Sequence, residues 1–247
     1  MVGSFVGKAA GRAGAPAILS APAVEPAGRA GAPANPAAPA VGPAGRPAAD
    51  CRIKILFLAS NPMSTTQLHL TREARRIEER LGVGRARDVF ELVTRWAVRR
   101  SDLQRLLLEE KPHVLHFSSH GSTRAKLFLE DEDGNAAPVT KKALVDLIGI
   151  LKHRLRLVVL NACDTEPFAR ALVQHVACAI GMRQPIGDDA AISFAVSFYQ
   201  ALAFHEPVDT AFRLACNELK LQQLPEEQTP VLRVKRGVDV TRLVLTG

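Results

Sequence analysis

The chain has 247 residues and a formal net charge of +7. Its four cysteines, Cys51, Cys163, Cys178 and Cys216, form no C-x-x-C pair. That excludes a zinc ribbon or a disulfide-built scaffold and fits a reducing, cytoplasmic setting. No run reaches the roughly eighteen apolar residues of a membrane span.

Residues 1–50 differ from the rest. They are mostly Ala, Pro and Gly, with no aromatic residue after Phe5. Such a segment cannot bury enough apolar surface to offset its ordering entropy. It reads as a disordered leader, and residues 51–247 read as one domain. The leader lacks acidic residues before Glu25, as transit peptides do. Its prolines argue against an amphipathic helix, and it holds no secretory apolar core. Part of the positive charge lies here, at Lys8, Arg12, Arg29 and Arg46. Arginines also cluster at 72–87 and 95–100. No aromatic stacking platform accompanies them, so a solvated basic face is favoured over nucleic-acid binding.

In the domain, Ile53 to Leu58 reads as a buried strand ended by Asn61-Pro62. Residues 66–81 carry a helical stripe of Leu68, Leu70, Ala74, Ile77 and Leu81. Phe90, Leu92 and Thr94 mark a second strand leading into Trp96. Ser101-Asp102 signals the start of a helix that ends at Glu110, before Lys111-Pro112. A third strand covers His113 to Phe117. Lys126–Leu129, the Asp133-Gly134 turn and Ala137–Val139 read as a hairpin. A helix capped by Thr140 runs to Lys152. Leu155 to Leu160, the most apolar run, predicts a central strand. Residues 166–176 look helical, Cys178–Met182 extended, and Asp188–Phe204 and Val208–Leu221 helical. Val231–Val234 predicts a last strand. This alternation argues for an α/β fold with a mostly parallel sheet and helices on both faces. Ligands of such sheets bind beyond the carboxyl ends of the strands.

Two strand ends carry chemistry. The third strand ends in Phe117-Ser118-Ser119-His120-Gly121, and the central strand in Leu160-Asn161-Ala162-Cys163. If these strands are neighbours, they lie about 5 Å apart and their loops can meet. An imidazole that takes a thiol proton makes a nucleophilic pair. Gly121 lets a backbone N–H approach an oxyanion.

The sequence resembles the CHAT family, caspase-like peptidases of the clan that holds caspases and separase. The resemblance spans residues 53–235. It rests on Ile55-Leu56-Phe57-Leu58-Ala59-Ser60-Asn61-Pro62, His116-Phe117-Ser118-Ser119-His120-Gly121 and Val159-Leu160-Asn161-Ala162-Cys163. It continues through Ile180-Gly181-Met182, Ile186-Gly187-Asp188-Asp189-Ala190-Ala191-Ile192 and Phe198-Tyr199. It implies a caspase-like three-layer sandwich, with His120 as general base and Cys163 as nucleophile. The amides of Gly121 and Cys163 would hold the oxyanion. Asp188 best matches the acidic residue that lines the pocket for the side chain before the scissile bond, with Asp189 its neighbour. The family usually has glycine where Ser119 stands.

Each residue also has a plainer role. Cys163 alone would be a core thiol, and His120 a loop histidine. Asp188 would cap the helix beginning near Ala190, and Asn161 would pack within its loop. His113, His116 and His120 suggest a metal cluster, but residues 113 and 116 of one strand point to opposite faces. Cys178 and Cys216 read as core. Gly82-Val83-Gly84 follows a helix and lacks a third glycine, so it is no dinucleotide motif. The expectation is a cysteine endopeptidase that needs no metal or organic cofactor. It would cleave a protein partner after a basic residue, in a bacterial defence or programmed-death system, with substrate or activator encoded nearby. The alternatives are an inactive caspase-like scaffold that binds partners and, more remotely, a nucleotide-processing domain with a TIR-like sheet.

Overall fold

The computed structural model describes residues 52–83, 88–122 and 126–246. The expected leader, residues 1–50, lies outside the described residues.

The apolar runs become strands. The first is β1 (Ile53–Ala59), followed by α1 (Leu70–Leu81), β2 (Phe90–Arg95), α2 (Asp102–Glu110) and β3 (Val114–Ser118). Three short strands come next: β4 (Gly121–Ser122), β5 (Lys126–Glu130) and β6 (Ala136–Thr140). The chain continues with α3 (Lys141–Leu151), β7 (Leu157–Asn161), α4 (Glu166–Leu172) and β8 (Cys178–Met182). It closes with α5 (Asp188–Ala203), α6 (Val208–Leu221) and β9 (Pro230–Val234).

Six strands form one sheet in the order β2-β1-β3-β7-β8-β9. All neighbours run parallel except β9, which is antiparallel to β8. A separate antiparallel sheet, β4-β5-β6, holds the expected hairpin. Its turn uses Gly134 at φ +78°, where a side chain would be strained. Strand β4 is an addition to the expected elements: the chain just after His120 pairs onto β5.

Side chains alternate across the pleat, so the sheet has two cores. Ile55, Phe57, Val114 and Val159 meet α1, α5 and α6 on one face. Leu58, Leu115, Phe117 and Leu160 meet α2, α3 and α4 on the other. Helix α1 begins four residues later than its periodicity predicts. Residues 66–69 are committed to loop contacts instead. The Asn61 side chain bonds both the N–H and the C=O of Leu68, and the His69 N–H donates to Asp188. Such bonds compete with helical ones. Among the described residues, no helix is long and apolar enough to cross a membrane.

Candidate active site

Strands β3 and β7 are neighbours, with Ser118 opposite Asn161. His120 and Cys163 each follow two residues later, so both loops leave the same edge of the sheet. The loops touch through backbone. A Cβ on Gly121 would sit 1.9 Å from the Cys163 carbonyl oxygen and 3.0 Å from its nitrogen, so only glycine fits there.

Several local devices hold the cysteine loop. Asp164 takes a left-handed conformation (φ 55°), which Asp tolerates better than most residues, and turns the chain immediately after Cys163. The buried Thr165 hydroxyl lies 2.7 Å from the Ala162 carbonyl oxygen and accepts from the Met182 N–H at 3.0 Å, tying this loop to β8. The Cys163 Sγ lies 3.9 Å from the Ile186 carbonyl oxygen.

The histidine loop is held from two sides. The Phe128 N–H donates to the His120 carbonyl as the chain enters β4. The His120 ring meets the Thr66 carbonyl oxygen through Nε2, at 2.7 Å. A carbonyl can only accept, so Nε2 carries a proton and is not available as an acceptor. Ser119 is buried, and its hydroxyl reaches only the His120 carbonyl, at 3.4 Å.

His120, Cys163 and Asp188 line one cavity of about 190 Å³, with Glu73, Ser118 and Asn161 among its other walls. Among the described residues, the cavity lining includes two carboxylates, Asp188 and Glu73, and no Lys or Arg.

Asp188 does not cap its own helix. Gly187 is the N-cap of α5, and Asp188 is its first residue. Its carboxylate turns to the start of α1, accepting the His69 N–H at 3.1 Å and meeting the His69 ring. The helical N-termini of α1 and α5 lie side by side, and Asp188 satisfies an orphan donor of the neighbour. Asp189 pairs with Arg72. Asn161 does more than pack within its loop: its Nδ2 donates to Glu73 at 2.7 Å and to the Ala191 carbonyl at 3.2 Å.

The three histidines of the strand run go to separate partners. His113 accepts from the Lys54 N–H, His120 meets Thr66, and His116 lies buried between Glu73 and Tyr199. Among the described residues, no group of His, Cys, Asp and Glu is arranged to hold a metal.

Glu73 is the residue that the sequence reading passes over. It stands on the apolar stripe of α1, between Leu70 and Ile77, and is 2% exposed. A charged residue on an apolar helix face is the signal that could have found it, because such a residue is seldom buried without partners.

The fold is an α/β sandwich with a mostly parallel sheet, and His120 and Cys163 line one cavity at its carboxyl edge. The chain belongs to the CHAT domain family, whose model matches residues 9–231. It is 27% identical over 181 residues to a "Roc-COR-CHAT protease" from an unknown prokaryotic organism, a match covering 70% of this chain and 17% of that protein. It is also 27% identical over 150 residues to a "Probable protease" of Gillisia limnaea, covering 60% of this chain and 26% of that protein. The chain therefore spans well under half the length of these curated relatives. Its fold is similar to that of caspase-1 from Spodoptera frugiperda, with a TM-score of 0.53 at 9% identity, over 76% of this chain and 92% of that one.

Proposed function

We propose that the chain is a caspase-like cysteine endopeptidase that cleaves a protein partner after a basic residue. The observation that carries this reading is the meeting of His120 and Cys163 on one cavity, from the ends of two paired strands. The two relatives named as proteases support the reaction class. His120, with Nε2–H on Thr66, takes the Cys163 thiol proton at Nδ1. The thiolate attacks the peptide carbonyl carbon, and the amides of Gly121 and Cys163 receive the oxyanion. The C–N bond then breaks, and the leaving amine takes the proton from His120. Water, deprotonated by the same ring, hydrolyses the thioester.

The basic preference rests on charge. A guanidinium entering the cavity finds Asp188 on its wall and no Lys or Arg among the described lining residues. Arg should exceed Lys where the carboxylate pairs bidentately. Asp188 then serves substrate and the start of α1 together.

A peptide library with Arg, Lys or Asp before the scissile bond tests both parts. Cys163→Ala and His120→Ala should abolish turnover with little loss of melting temperature. Asp188→Asn should cost Arg peptides about 2–4 kcal/mol in transition-state terms. Equal turnover of Arg and Asp peptides would remove Asp188 from specificity, and turnover by Cys163→Ala would end the cysteine mechanism. An inactive scaffold would show neither turnover nor enhanced thiol reactivity at Cys163.

A further inference from the structure

We infer that Glu73 is a positioning residue for the His120–Cys163 pair, a single buried carboxylate that ties together the ends of the two strands carrying it. This rests on the proposed peptidase reading of that pair.

A leucine at position 73 would complete the apolar face of α1. Burying a carboxylate instead costs several kcal/mol before its partners are counted, on the order of magnitude typical for an ion leaving water. The partners are arranged to match. Glu73 Oε1 accepts from Asn161 Nδ2 at 2.7 Å and meets His116 Nε2 at 3.1 Å. Oε2 accepts from the Ser118 hydroxyl. Ser118 and Asn161 are opposite one another in the β3–β7 ladder. Each stands two residues before a reacting group, so one carboxylate holds both loops at their roots.

Tyr199 Oη lies 3.0 Å from His116 Nδ1. With Tyr199 donating to Nδ1 and His116 Nε2–H donating to Glu73, each of these protons has an acceptor. Burial and the charge of Glu73 push the Tyr199 pKa up, which keeps that proton in place. The ring of His116 also stacks on Phe57, with centroids 4.8 Å apart. No Lys or Arg bonds to Glu73 among the described residues; its partners are His116, Ser118 and Asn161.

The contacts reach every element around the site. Helix α1 supplies Glu73, and the loop before it supplies the Thr66 carbonyl to His120. Asn161 reaches Ala191 in the first turn of α5, and Tyr199 comes from the same helix. The other titratable groups on the cavity are His120, Cys163 and Asp188. His69, just before α1, and Arg72 of α1 are directed to Asp188 and Asp189.

The test uses two readouts on the full chain: kcat and KM with a cleaved peptide, and the rate of iodoacetamide alkylation at Cys163, which needs no substrate. Glu73→Ala should lower kcat about 100-fold, the scale of a misplacement near 1 Å. Glu73→Gln keeps shape and some acceptors, and should recover to within about 10-fold of wild type; Ser118→Ala should lose about 10-fold. KM should stay near wild type in each. Cys163 alkylation should slow in step with kcat in each variant. If Glu73→Ala fails to fold, the Gln and Ser118→Ala proteins decide. Wild-type kcat and alkylation in both would overturn the inference, whatever their melting temperatures. If His120→Ala slows alkylation while the Glu73 and Ser118 variants do not, only this inference fails. If His120→Ala leaves alkylation unchanged, the His–Cys pair itself fails.

Discussion

On the face covered by α2, α3 and α4, strands β3 and β7 present Leu115, Phe117, Val158 and Leu160, all buried and all apolar. On the face covered by α1, α5 and α6, the same strands present Val114, then His116 and Ser118, and Leu157 and Val159, then Asn161. The two runs interleave residue by residue, so the difference is not one of strand propensity. It is one of side and depth. Polar residues enter on a single face, toward the carboxyl ends of the strands, where they meet Glu73. One face is a packing surface. The other becomes a support for chemistry as it approaches the loops.

Adjacent residues of β3 can break this comparison. Leu115→Ala removes a fully buried side chain from the apolar face and should cost about 2–5 kcal/mol, the range for such truncations. The kcat of the folded protein should be kept. His116→Phe keeps a ring of similar shape and leaves Glu73 and Tyr199 each short of a partner. It should cost about 1–3 kcal/mol per unsatisfied group, and it should also lower kcat. Urea unfolding and peptide cleavage measure the two quantities. Equal losses of kcat in both variants would dissolve the distinction between the faces.

Within the chemical face, the two ends of the sheet should also differ. Cys178 lies at the start of β8, in the same core as Phe57 and Tyr199. Burial pushes its thiol up to about 12, from an ordinary value of 9.0. Burial likewise raises Cys216 to about 11. At pH 8 only about 10⁻⁴ of Cys178 and 10⁻³ of Cys216 would be thiolate, so iodoacetamide should reach Cys163 before either. The shift also has a stability consequence. The folded pKa of Cys178 lies above the unfolded one, so the associated stability is complete below about pH 9 and is lost as pH rises toward 12. The slope is about 1.4 kcal/mol per pH unit at most. Denaturant titrations at pH 8 and 10, compared with Cys178→Ala, measure it. A wild-type protein no more alkali-sensitive than the Ala variant would show that Cys178 is more open than its core position implies.

Much of this was legible in the sequence because periodicity reports burial. The runs Ile55–Ala59 of β1, Leu157–Leu160 of β7 and β8 are continuous and apolar, as strands covered on both faces must be. The His120 and Cys163 loops were readable because strand ends are where such sheets place ligands. What was not legible depends on tertiary partners. Glu73 is set apart from the other acids of α1 by its place on the apolar stripe, but no local signal names Ser118, Asn161 and His116 as its companions. Asp188 looks like a helix cap because it stands at a helix start; that it serves α1 rather than α5 follows from two helix starts lying together. The first turn expected at residues 66–69 gave way to bonds from Asn61 and Asp188, residues eight or fewer and more than a hundred positions away.

The smallest effect sharpens the comparison from the packing side. Thr140 opens α3, a helix of the apolar face, and its side chain accepts the Ala143 N–H at 3.3 Å. Among the described residues, this is the helix start whose side chain caps in the expected manner, from an extended backbone (φ −76°, ψ 151°) at the end of β6. Thr140→Ala leaves that N–H to water and should cost about 1 kcal/mol, the usual value for a lost cap. Thr140→Ser keeps the acceptor and should recover most of it. The site should not respond to either change, since α3 meets the sheet through Leu144 and Ile148 on the face away from Glu73. Thermal melts of the three proteins beside their kcat values provide the check. A fall in kcat for Thr140→Ala, without one for Thr140→Ser, would mean that the apolar face also transmits to the reacting pair, and that its chemistry is less passive than its composition suggests.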